Sequence, residues 1–185
     1  VIVDLIERTA SPSVAVPKTG DVKCWGDNTY GQLGFNTAPA NSYGGLMGEV
    51  GTTAHTVDLG VGHTAQKVAV GDDHTCAIRD DGSVYCWGYN SDGRLGIGST
   101  GAYGAGVVNL GVDANQIPHT AQDLAAGSGH TCALLEDFSV KCWGYNGSGQ
   151  LGAGDNVLRG ADPLSMGDAL IAVDLGLAAG GSGPG

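Results

Sequence analysis

The pentapeptide pattern Cys-Trp-Gly-x-Asn occurs three times, as Cys24-Trp25-Gly26-Asp27-Asn28, Cys86-Trp87-Gly88-Tyr89-Asn90 and Cys142-Trp143-Gly144-Tyr145-Asn146. Each copy runs on into Gly-x-Leu-Gly: Gly31-Gln32-Leu33-Gly34, Gly93-Arg94-Leu95-Gly96 and Gly149-Gln150-Leu151-Gly152. A second landmark, Val57-Asp58-Leu59-Gly60, returns as Val108-Asn109-Leu110-Gly111 and Val173-Asp174-Leu175-Gly176. Recurrence at periods of this size means that one small supersecondary unit is copied, and that neighbouring copies bury each other's apolar faces. With the second landmark as the boundary, the units are 1–56, 57–107 and 108–172, and 173–185 is a terminal strand remnant with a Gly-rich tail or linker.

Within a unit the residues read as short strands. Lys67-Val68-Ala69-Val70 and His74-Thr75-Cys76-Ala77-Ile78 precede the turn Asp80-Asp81-Gly82, and Ser83-Val84-Tyr85-Cys86-Trp87 then alternates again, which is a hairpin signal. The third unit repeats the design from Asp123 to Trp143. A helix needs an apolar stripe over about three turns, and glycine interrupts nearly every window. The 34 Gly are over twice the ordinary share, yet they follow no every-third-residue period, so they serve turns and not a collagen helix. Small antiparallel sheets repeated radially or serially satisfy these lengths, which makes the fold all-β and propeller-like.

Cysteine spacing sharpens the hairpins. Cys76 and Cys86, like Cys132 and Cys142, lie on opposite arms, and a three-residue turn around Asp81 or Asp137 sets them directly across from each other at disulfide spacing. Closing each loop removes roughly 3 kcal/mol of unfolded-state entropy and places the protein outside the reducing cytosol. The alternatives are four buried thiols or a zinc site recruiting His74 and His130, for which the short Cys-x-x-Cys ligand spacing is missing. Cys24 has no such partner, because Val14 occupies the equivalent place; it is a buried free thiol or an interchain link.

A net charge of -11 argues against a nucleic-acid footprint. No run approaches the roughly 20 apolar residues of a membrane span, and Val1-Ile2-Val3-Asp4 lacks the shape of a signal peptide. The missing initiator Met reads as the loss of a preceding segment. Neither a Gly-x-Ser-x-Gly elbow nor a His-Glu-x-x-His helix is present, and Gly93-Arg94-Leu95-Gly96 lacks the long loop and Lys of a phosphate site. No catalytic residue, metal or cofactor is therefore nominated. The acidic turns, such as Asp72-Asp73 and Asp80-Asp81, offer hard oxygen ligands for calcium, but no regular ligand loop, and turn formation is the favoured reading. Asn146-Gly147-Ser148 is an N-glycosylation acceptor on an expected surface turn.

With these motifs in place, the units resemble the regulator of chromosome condensation repeat family, in the Cys-bearing form of secreted and very large multi-repeat proteins. The resemblance runs from His74 to Gly96 and from His130 to Gly152, with Val14 to Gly34 as a degenerate copy. It implies blades of four antiparallel strands, commonly seven to a ring, so three units make an incomplete ring or a fragment of a longer propeller. In that frame Trp25, Trp87, Trp143, Leu33, Leu95 and Leu151 pack between blades. His74 and His130 fix blade junctions through ring hydrogen bonds.

Departures from the pattern are informative. Phe138 replaces the turn glycine seen as Gly82, so the third hairpin turns without a positive φ there or Phe138 is an exposed anchor. Arg94 stands where Gln32 and Gln150 stand. Tyr89 and Tyr145 are candidate binding residues at the rim. The leading expectation is a non-catalytic extracellular or cell-surface module that contacts other protein subunits, or further repeats, through blade edges and loops. A secreted module recognising glycan or protein through Trp87, Tyr89, Tyr145 or the loops 36–56 and 98–107 is the alternative. Guanine-nucleotide exchange, implied by the family's namesake, is third.

Overall fold

A computed structural model describes residues 3–8, 12–34, 42–46, 55–99 and 101–176, the first of these segments by its backbone alone. Among these residues ten strands form three antiparallel sheets: β1 (Val3–Arg8), β2 (Ser13–Pro17) and β3 (Lys23–Trp25); β4 (Ala65–Val70), β5 (His74–Arg79), β6 (Val84–Tyr89) and β7 (Tyr103–Val107); β8 (Ala121–Ala126), β9 (His130–Leu135) and β10 (Val140–Gly144). Helical structure among the described residues amounts to two single 3₁₀ turns, Pro163–Ser165 and Gly167–Ala169. The predicted all-β reading with successive small sheets is the observed one.

Among the described residues only the second sheet has the expected four strands. Its outer strand β7 pairs Val107 with Tyr85 and Gly104 with Gly88. In the other two units the same two positions are met by isolated bridges: Lys23 with Thr56 and Gly26 with Tyr43, then Lys141 with Ala172 and Gly144 with Arg159. Among the described residues, the third unit's outermost strand has thus contracted to two bridges. Residues 98–107, expected as a variable binding loop, instead contain β7, because Tyr103–Val107 finds a ladder along β6. Most of 36–56 and all of the Gly-rich tail lie outside the described residues.

Strand alternation assigns the side chains to two cores, one at each junction. Val14, Val16, Val22, Cys24 and Leu33 of the first unit, with Val57 and Leu59 of the landmark that follows it, meet Val68, Val70, Ala77 and Trp87 of the second. Cys76, Ile78, Cys86 and Leu95 of the second, with Val108 and Leu110 of the next landmark, meet Ala133, Leu135, Trp143, Met166 and Leu170 of the third. In β5, Cys76 and Ile78 face forward and Ala77 faces back, as a period of two requires. A sheet buried on both faces explains why every residue of β5 is buried. The second landmark closes each unit from outside: Val57, Val108 and Val173 donate their backbone N–H groups to the carbonyls of Val22, Val84 and Val140.

The hairpin register sets Cys76 opposite Cys86 and Cys132 opposite Cys142, both pairs joined as disulfides with Cα atoms 4.1 Å apart. Val14 faces Cys24 at the same place. Cys24 is a free thiol buried in the first core. The third hairpin corrects another expectation. Phe138 does adopt a left-handed φ of 66°, like Gly82 at 81°. The turn geometry is fixed by Asp137 accepting from the Ser139 N–H, as Asp81 does from Ser83, so the residue between must follow. Phe138 is also exposed, so of the two alternatives the exposure is observed and the avoided positive φ is not.

Candidate functional site

The motif residues converge on the junctions between units. Trp87 donates its indole N–H to the Gln32 carbonyl at 2.9 Å, and the Thr75 hydroxyl donates to the same oxygen at 3.1 Å. One unit later, Trp143 and Thr131 donate to the Arg94 carbonyl at 3.1 and 3.3 Å. The Gly-x-Leu-Gly loop therefore presents one carbonyl to the next unit, and the next unit answers with two donors. Gly34 and Gly96 let the indoles approach: a Cβ at either position would lie 2.8 or 2.7 Å from a Trp Nε1. Trp87 and Trp143 are wholly buried, which removes them as ligand-contacting faces; Trp25 is half-buried.

The loop itself is held by the motif asparagine. Asn28, Asn90 and Asn146 each accept the backbone N–H of the loop leucine, Leu33, Leu95 or Leu151, at 3.0 to 3.1 Å. Asn146 further donates to the carbonyls of Asp155 and Val157. Its amide is fully buried and bonded, so the expected glycosylation at Asn146 is corrected: the side chain is an internal clamp and not a surface acceptor. This clamp role was open to the sequence, because the asparagine recurs with Gly-x-Leu-Gly in all three units.

His74 fixes a junction as expected. Its Nε2 lies 2.8 Å from the Thr131 hydroxyl. Since Thr131 gives its proton to the Arg94 carbonyl, His74 donates through Nε2–H, and its unpartnered Nδ1 is the bare nitrogen. Burial, aided by the Arg94 charge, lowers its pKa to about 3. His130 does not repeat this bond; among the described residues no following unit brings a hydroxyl to it. Half-buried, with its pKa lowered by burial, it lines a cavity instead. A second histidine set, missed by sequence reasoning, ties hairpin turns to the segments that lead into β4 and β8: His63 with Asp80 at 2.9 Å and His119 with Glu136 at 2.7 Å. His63, Asp80 and Asp81 group their ligand atoms within 4.8 Å, but the repeat in the third unit identifies the arrangement as a turn clamp.

Arg94 fills a different role from Gln32 and Gln150. Those glutamines accept a backbone N–H two residues earlier, from Tyr30 and Ser148, at 2.8 Å. An arginine has no acceptor, and Arg94 instead binds the Asp92 carboxylate at 2.6 Å and approaches Asp73 at 3.8 Å. Its guanidinium lies over the Tyr89 ring, 4.8 Å from the centroid, while Tyr30 packs on Tyr89 at 4.5 Å. Tyr89 is thus covered at the first junction. Tyr145, its counterpart, is exposed and borders a cavity of about 340 Å³ lined by Asp92, Arg94, Ser128, Gly129, His130 and Gln150. The acidic residues elsewhere cap turns: Asp58, Asp81, Asp113, Asp137, Asp155, Asp162 and Asp174 each accept the N–H two residues ahead.

Successive antiparallel sheets packed face to face through a repeated carbonyl-centred junction define a piece of a β-propeller. The chain belongs to the regulator of chromosome condensation (RCC1) repeat family, whose models match residues 13–32, 65–94 and 121–150, and residues 81–134. It is similar to the mouse (Mus musculus) probable E3 ubiquitin-protein ligase HERC4, 36% identical over 140 residues, covering 76% of this chain and 12% of that protein. It is also similar to the Arabidopsis thaliana ultraviolet-B receptor UVR8, 27% identical over 195 residues, covering 80% of this chain and 42% of the receptor. Among solved structures, yeast RCC1 (Prp20) bound to Kap60 superposes with a TM-score of 0.66 at 22% identity, over 87% of this chain and 36% of that one. Human WBSCR16 gives 0.65 at 22% identity, over 86% and 36%. The chain thus spans less than half the length of each of these relatives. No helix among the described residues is long and apolar enough to cross a membrane.

Proposed function

We propose that this chain is a non-catalytic structural or assembly module, working outside the cell, that makes protein contacts through its blade edges and loops. The observation that carries the reading is the junction itself. Its donors and its acceptor carbonyl are built twice from the same motif, and a half-junction stands at either end of the described arc. At one end Trp25 is half-buried; at the other Leu175 is exposed, whereas its counterparts Leu59 and Leu110 are buried. Such faces suit another unit of the same kind, from a longer chain or from a second copy. Two cross-strand disulfides support an oxidising compartment.

Solution mass measurement of the purified chain over a concentration series tests this reading. We expect self-association that Trp25→Ala weakens. A monomer at all concentrations, unaffected by that substitution, contradicts the assembly role. Recognition of other proteins is the second reading, favoured by the exposed Tyr145 beside an open cavity. Ubiquitin ligation and ultraviolet-B reception, named for the relatives, stay with those proteins, and a likeness to yeast RCC1 at 22% identity carries the fold and not nucleotide exchange.

A further inference from the structure

The two junction grooves are built from corresponding residues, so one reports what the other lacks. Asp92, Arg94, Ser128, Gly129, His130, Tyr145 and Gln150 line the second groove; their counterparts one unit earlier are Tyr30, Gln32, Asp72, Asp73, His74, Tyr89 and Arg94. In the first groove the central ring, Tyr89, is contacted by a phenol, Tyr30, and a guanidinium, Arg94, belonging to the chain. In the second groove the phenol has become Asp92 and the guanidinium has become Gln150. Both replacements shorten or flatten what covers the ring, and the result is the cavity of about 340 Å³ beside an exposed Tyr145.

We propose that the groove between the second and third units receives an arginine side chain from a partner protein. The guanidinium would lie on Tyr145 as Arg94 lies on Tyr89, with the Asp92 carboxylate at the rim. A guanidinium is flat, keeps its charge and stacks on aromatic faces, which an ammonium does less well. Charge also favours a cation. Arg94 in the groove wall is already met by two carboxylates, Asp92 and Asp73, and the chain as a whole carries -11, which raises the local concentration of basic partners. The inference deepens the protein-contact reading without depending on self-association, which uses the end faces.

The experiment follows the Tyr145 ring signals of the whole chain by NMR while blocked tripeptides are added, Gly-Arg-Gly against Gly-Lys-Gly and Gly-Tyr-Gly. The arginine peptide is expected to shift those signals saturably, with at least tenfold preference over the lysine peptide, and Tyr145→Ala is expected to abolish binding. Asp92→Tyr and Gln150→Arg rebuild the filled groove of the first junction and are expected to block the peptide while leaving the rest of the spectrum folded. Equal response to lysine, preference for tyrosine, absence of saturation, or binding that persists in both filled variants would each overturn the proposal. Mass measurements on the same samples report self-association separately, so loss of one result leaves the other standing.

Discussion

Burial of the His74 ring between the second and third units keeps it neutral, and this ties the junction to pH. The folded pKa, about 3, lies below the value near 6.5 of an unfolded histidine. The unfolded chain therefore binds the proton first as pH falls. Stability from this group is intact above pH 6.5 and declines between 6.5 and 3, by at most about 1.4 kcal/mol per pH unit. The folded carboxylates with lowered pKa values, such as Asp155 at about 2 beside Arg159, add their own loss only at lower pH. Urea unfolding at pH 7 and pH 5 should thus show a drop in wild type that His74→Gln reduces, although the substitution itself costs about 1–2 kcal/mol at pH 7 by disturbing the Thr131 contact. An identical drop in both proteins would mean that another group carries the pH dependence. His74 was legible as a junction residue from its place in the repeat. His130 was not separable from it, because sequence equivalence does not say whether a following unit is there to supply the hydroxyl.

At the scale of the hairpin, the register explains both what the sequence disclosed and what it concealed. Cysteines ten residues apart around a three-residue turn had to face each other, and they do. The same count placed Val14 opposite Cys24, which the register confirms. Val14→Cys should therefore complete a third cross-strand disulfide. Loop closure would contribute about 3 kcal/mol, against about 1 kcal/mol for the lost valine packing. Denaturation of the variant with and without reductant, alongside mass-spectrometric counting of free thiols, checks this. A thiol that stays reduced in the folded variant would show that the first hairpin differs from the other two. The outer strand was the part least open to reading. Glycine-rich stretches after each Gly-x-Leu-Gly loop carry little alternation, so nothing distinguished the full ladder of β7 from the paired bridges that replace it in the third unit. Asn146 misled for a related reason: its tripeptide matches a glycosylation acceptor, while its burial depends on carbonyls at 155 and 157 brought close only by the fold.

Across the whole molecule, each core lies between sheets and none lies within one, so stability resides in the junctions. Repeat proteins of this kind behave as nearest-neighbour chains, where weakening one interface uncouples the units on its two sides. Trp87→Phe keeps most of the ring in the first junction and removes the N–H that reaches the Gln32 carbonyl, a change worth about 1 kcal/mol. The second junction, centred on the Arg94 carbonyl and Trp143, shares no hydrogen bond with it. Hydrogen exchange in Trp87→Phe should accelerate in β2 and β3 while protection in β9 and β10 stays near wild type, and Trp143→Phe should reverse the pattern. Equal acceleration in all three units would mean that the cores act as one cooperative body, and that the end faces of the arc contribute no independent binding surface.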